Sequence, residues 1–137
     1  MHASKRRLLL LAIFACSLAG CGPDLHSGKG VVQFTDGEPL HGGSVELRSR
    51  DYGAQYASRI DTQGGFQLTS RDGTPGVPPG EYDAVVVLIV MTDVLSAEQH
   101  THGRNVPMRY FDYKTSDLAA TIPTAQSGPI ELVLEPE

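Results

Sequence analysis

Turn-forming residues punctuate this chain from Gly30 to its end, and between them no stretch of useful length repeats apolar residues at the helical period. Gly and Pro number 15 and 9 among 137 residues, above the average share, and they are scattered rather than gathered into one tract. Scattered punctuation calls for many short extended elements. Residues 30–35 form the first, closed by Asp36-Gly37, a strong short turn signal. Residues 44–48 alternate, with Val45 and Leu47 on one face and Glu46 and Arg48 on the other. Residues 56–61 return with Ala57 and Ile60 inward. Gln63-Gly64-Gly65 turns the chain into 66–69, where Phe66 and Leu68 share a face. Residues 71–80 hold three Pro and three Gly and read as loop. The longest strand is expected over 81–91, followed by a polar connection over 92–107 and an irregular stretch over 110–116. Short strands over 117–122 and 130–134 close the chain.

About seven short strands at this spacing predict an all-β fold, an antiparallel Greek-key β-sandwich. Its expected core is Val32, Phe34, Val45, Leu47, Phe66, Leu68, Tyr82, Ala84, Val86, Leu88, Leu132 and Leu134. The eight consecutive apolar residues from Ala84 to Met91 break the pattern of one wet face. Val85, Val87, Ile89 and Met91 would form a second apolar face, and an open strand of this kind invites aggregation. That face is expected to be covered by the chain's own 92–113 segment, which carries Val94, Leu95, Val106, Met108 and Phe111; the alternative cover is another molecule.

The turn Asp36-Gly37-Glu38-Pro39-Leu40-His41-Gly42-Gly43-Ser44-Val45 resembles the D-G-x-P-L-x-G-A-x-V segment of carboxypeptidase-regulatory-like domains, with Gly43 where the family usually has Ala. Asp61-Thr62-Gln63-Gly64-Gly65-Phe66 is similar to that family's T-D-x-x-G-x-F hairpin, and Pro79-Gly80-Glu81-Tyr82 to its P-P-G-x-Y segment. Val106-Pro107-Met108-Arg109-Tyr110-Phe111-Asp112 with Thr115-Ser116-Asp117-Leu118 resembles a segment of short lipoproteins of planctomycete-like bacteria, with Tyr113 in place of the usual Pro. The resemblance covers residues 30–134 and implies a transthyretin-type (prealbumin-like) sandwich and an exported location. It implies no agreed activity.

The first twenty residues support that location. Lys5, Arg6 and Arg7 form a basic start, and residues 8–16 follow without a polar side chain, within the roughly 7–15 residues of a secretory signal core. The run falls short of the roughly 20 apolar residues of a spanning helix. Leu18-Ala19-Gly20-Cys21 then resembles the lipobox of bacterial lipoproteins, cut before the cysteine that receives the lipid. The expected organisation is a signal peptide over 1–20, a tether over 21–29 and the sandwich over 30–137. Cys21 is the lipidation site, and Gly22 after it favours the outer membrane over the inner under the sorting rule of enteric bacteria. Cleavage removes Cys16 and acylation consumes Cys21, so no disulfide remains among two cysteines.

Removal of the leader leaves eight Lys and Arg against 16 Asp and Glu, a net charge of −8. Such a balance argues against nucleic acid and against adhesion to anionic lipid by charge alone. His100 and His102 stand two apart, as a metal site requires of an extended segment, with only Glu98 nearby as a third ligand; a solvated loop tip is the plainer account. Tyr110, Phe111 and Tyr113 are candidates for a glycan or peptide surface, against the alternative that Tyr110 and Phe111 cap an open end of the sandwich. No triad elbow or calcium loop is present, and no cofactor is implied. The transthyretin-like hydroxyisourate hydrolases end in Tyr-Arg-Gly-Ser, whereas this chain ends in Leu134-Glu135-Pro136-Glu137. The sequence therefore predicts a non-enzymatic, lipid-anchored β-sandwich that binds or spaces an envelope protein or glycan; a glycan-binding module is the alternative.

Overall fold

A computed structural model describes residues 25–89, 103–124 and 128–137. Its strands are β1 (Lys29–Phe34), β2 (Ser44–Ser49), β3 (Gln55–Arg59), β4 (Gly65–Gln67), β5 (Thr69–Ser70), β6 (Gly80–Val87), β7 (Ala119–Ile122) and β8 (Ile130–Leu134). A 3-10 helix, Met108–Phe111, precedes β7. The strands form a sandwich of two sheets, one of three strands ordered β4-β1-β8 and one of five ordered β5-β3-β2-β6-β7.

Alternation decides which side of each strand faces the interior. Val32 and Phe34 of β1, Val45 and Leu47 of β2 and Leu132 and Leu134 of β8 are buried between the sheets. Each contributes roughly 1.5–3 kcal/mol by leaving water. Every expected core residue is buried except Leu88, which is half-buried and packs against the core. Leu40, Val77, Val106, Leu118, Ile122 and Ile130 join them, most from loops where no period marks them.

Several expectations are corrected. Eight strands form rather than seven, because 66–69 divides at the fully buried Leu68: β4 lies in one sheet and β5 in the other. The sandwich is not wholly antiparallel, since β8 pairs parallel with β1 in the register Val32↔Leu132. In β3 the inward residue is Tyr56 and Ala57 is exposed, while Ile60, just past the end of the strand, is buried as expected. β6 ends at Val87. Residues 90 and 91 of the expected strand lie outside the described residues.

The second face of β6 is covered at Val85, 7% exposed, and partly covered at Val87, while Ile89, beyond the end of the strand, is 74% exposed. The 3-10 helix packs against β6, and Ser116 Oγ donates to Ala84 O at 2.6 Å. Tyr113 reaches across the same outer face to Glu46, the β2 neighbour of Val85. The chain's own 103–118 stretch thus supplies the cover over Val85. Val94 and Leu95 lie outside the described residues.

The strands run between two ends. One carries residues 25–28, the turn after β2, the 70–79 loop and Gly128. Here His26 and Val77 exchange backbone hydrogen bonds at 2.9 Å each. The other carries the 35–43 turn, residues 61–64, Gly103 and Arg104, and Glu135. There Gly37 adopts φ +86°, the left-handed conformation its Asp-Gly turn requires. We call these the tether end and the far end.

Candidate functional site

The tether end holds the densest set of polar side chains. β2 closes in a turn where Gly53 N–H donates to Ser49 O at 3.0 Å and Ser49 N–H to Ala54 O at 2.9 Å, which lifts Tyr52 onto the end of the sandwich. Pro78-Pro79-Gly80 brings the chain into β6, where Tyr82 is fully buried. Its hydroxyl donates back to Pro78 O at 2.8 Å and meets the Tyr52 hydroxyl at 3.0 Å. A tyrosine early in a strand bonded to backbone just upstream is the tyrosine-corner device of β-sandwiches. Tyr56 packs edge-on against Tyr82, ring centroids 6.0 Å apart.

Three phenols thus gather at one end. Burial, and then the Tyr52 hydroxyl, pushes the Tyr82 phenol far above the ordinary tyrosine range. Burial raises Tyr56 as well. Tyr52 and Tyr82 share a hydrogen bond and Tyr56 packs on Tyr82, and burial favours the neutral form of the Tyr56 and Tyr82 phenols. Beside it opens a shallow groove of about 550 Å³, lined by Gln55, Tyr56, Ser70, Arg71 and Asp72 among others. Asp72 spends its carboxylate on its own turn, accepting from Ser70 Oγ and from Thr74 N–H; those bonds hold its carboxyl below the usual range. Arg71 makes no ion pair among the described residues and faces the groove.

His26 fastens the N-terminal segment to this end. It is 3% exposed. Its Nδ1 accepts the Gly28 N–H at 3.0 Å, which leaves the proton on Nε2 to donate to Gly128 O at 3.0 Å. Leu68 N–H also donates to Gly28 O at 2.9 Å. Residues 25–28, expected as part of a tether over 21–29, are bonded onto the domain.

The candidate aromatic surface does not assemble as one open platform. Tyr110 is buried at 1% exposure, and its hydroxyl accepts from Arg109 Nη2 at 2.9 Å and Glu135 N–H at 3.0 Å. Phe111 is half-buried against the core. Tyr113 lies on the outer face of the five-stranded sheet, donating to Glu46 Oε1 at 2.8 Å with the Arg48 guanidinium 3.9 Å above its ring. Burial, then Glu46, pushes the Tyr113 phenol well up. The capping role weighed for Tyr110 describes its position.

At the far end Arg104 Nη2 bonds Asp36 at 2.8 Å and Glu38 at 3.0 Å, and its guanidinium stacks 4.7 Å from the Phe34 ring. The Arg104 bond holds the Asp36 carboxyl below the usual range. This clasp fastens the stretch that follows residue 102 to the first turn. Cys21, Glu98, His100 and His102 lie outside the described residues. Among the described residues, no three His, Cys, Asp or Glu side chains gather as a metal site, and no helix is long and apolar enough to cross a membrane.

Sequence reasoning missed His26, hidden in what read as linker, and the phenol cluster. The four-residue spacing of Pro78 and Tyr82 was the available signal for the latter. No family model, curated protein or solved structure matches the chain.

Proposed function

We propose that this chain is an exported lipoprotein, a non-enzymatic β-sandwich of carboxypeptidase-regulatory-like type held at a cell-envelope membrane by lipid on Cys21, where it binds or spaces another envelope component. The observation that carries the reading is the junction of lipobox and domain. Leu18-Ala19-Gly20-Cys21 follows a basic start and a short apolar core, and the chain is bonded into the sandwich from His26 onward. A lipid at Cys21 would thus act on a folded body directly attached to it. Acylation of this kind adds more than one chain, as stable anchoring needs, since each buried CH₂ contributes about 0.8 kcal/mol.

The domain assignment is supported by the positions of the resembling motifs. Asp36-Gly37 turns the chain after β1, Gly42-Gly43 precedes β2, Gly64-Gly65 opens β4 and Pro79-Gly80 leads into β6. The outer membrane is favoured over the inner by Gly22. Of the three aromatic residues of the glycan alternative, Tyr110 is 1% exposed and Phe111 and Tyr113 are half-buried.

The test is Cys21→Ser expressed in a bacterium with a lipoprotein pathway. The expected result is an uncleaved or mislocalised precursor that takes up no labelled fatty acid. Normal membrane retention of Cys21→Ser would overturn the reading.

A further inference from the structure

We infer that the tether end of the sandwich is a membrane-facing surface, resting on the lipid headgroups with Tyr52, Leu25 and Arg71 toward the bilayer and the far end turned away. The inference deepens the lipoprotein reading and rests on it for the attachment point.

Four residues, Gly22, Pro23, Asp24 and Leu25, separate Cys21 from His26. Fully extended, the five steps reach about 18 Å. His26 cannot lengthen that reach, because its ring is buried and bonded to Gly28 and Gly128 while its backbone pairs with Val77. A lipid on Cys21 fixes that residue at the interface, and the headgroup layer itself takes up about 6 Å on each side of the hydrocarbon. The end that carries His26 is therefore confined to within about one headgroup layer and a short gap of the lipids. The far end stands about 25 Å further out, the span of the eight residues of β6.

The chemistry of the tether end fits that neighbour. Leu25 and Tyr52 are 41% and 54% exposed there. The Tyr52 hydroxyl points inward to Tyr82, so part of its ring faces out. Tyrosine is enriched at membrane interfaces, where an amphipathic ring sits at headgroup level. Arg71, in the adjacent groove, is placed to meet lipid phosphate. Asp51 and Asp72 stand close by in sequence, so the end has no cationic excess; contact depends on the short tether rather than on charge. Ile89 and Gly103 lie at the far end, and Arg109 donates to Glu135 O there at 3.0 Å, which puts its neighbour Met108, 77% exposed, at the same end.

The chain contains no tryptophan, so a single introduced one reports its own surroundings. The chain from Cys21 to Glu137, which keeps every described residue, is coupled through Cys21 to a maleimide lipid in phosphatidylcholine–phosphatidylglycerol vesicles. Tyr52→Trp and Met108→Trp are compared using lipids that carry a quencher in the headgroup. The inference predicts quenching at position 52 at least three-fold stronger than at 108, and a drop to the level of 108 when ten Gly and Ser residues are inserted after Asp24. Equal quenching, stronger quenching at 108, no quenching at either, or an effect indifferent to the insertion would each overturn it. If Tyr52→Trp unfolds, Leu25→Trp takes its place with the same expected outcomes. Because the lipid is attached chemically, failure here is distinct from failure of Cys21 to be acylated in cells.

Discussion

Removing the Tyr82 hydroxyl tests whether the phenol cluster holds the tether end together. Tyr82→Phe keeps the buried ring and its edge contact with Tyr56 and removes two hydrogen bonds, to Pro78 O at 2.8 Å and Tyr52 Oη at 3.0 Å. A typical bond contributes about 0.5–1.5 kcal/mol net, and a stranded buried group costs about 1–3 kcal/mol. Pro78 is only half-buried, so water partly replaces the lost donor. The expected loss is about 2 kcal/mol, or a fall of about 8 °C in Tm for a domain of this size. Tyr52→Phe removes only the bond between the two hydroxyls, from a half-exposed side chain, and should cost less than about 1 kcal/mol. Urea unfolding of both single variants and the double variant separates the terms, because any Tyr52–Tyr82 coupling appears as non-additivity. Tyr82→Phe proving no more costly than Tyr52→Phe would refute a structural role for the Pro78 bond.

Three further substitutions probe the far end. Gly37→Val should destabilise by at least about 1 kcal/mol through conformation alone, because φ is +86° and an added Cβ meets nothing within 4 Å. Gly43→Ala should cost more, with φ +99° and a Cβ 2.5 Å from Val87 O; equal melting temperatures for the two would contradict this ordering. The Asp36 carboxyl, held low by Arg104, should titrate below the ordinary carboxylate range by NMR and return toward it in Arg104→Gln. Its folded value lies below its unfolded value, so the clasp's stabilisation is complete above the unfolded value. It is lost as pH falls through the folded one.

Where one face of a strand is wet, burial was legible. Val45 and Leu47 against Glu46 and Arg48 leave one phase, and the structure adopts it. β3 offered two, since Tyr56 and Ala57 are both apolar by composition. The larger ring took the interior, and the small Ala57 lost little by facing water. Alternation along β8 says which side faces in but nothing of its neighbour's direction, so the parallel pairing with β1 had no signal. Leu40, Val77 and Val106 are buried from loops, where turn chemistry sets the path and no period exists to read. At the site, Tyr82 was legible as core but its hydroxyl's partner was not. His26 read as linker because Ser, Gly and Asp surround it, whereas its two ring bonds depend on Gly128, about a hundred residues away.

Everything proposed for this chain turns on attachment through Cys21. Its most direct measurement is the intact mass of the chain recovered from bacterial membranes, followed by sequencing of its first peptide. The expected product begins at Cys21 and carries diacylglyceryl on the sulfur with an acyl group on the amine. A membrane-bound chain that begins elsewhere, or an unmodified Cys21, would contradict it.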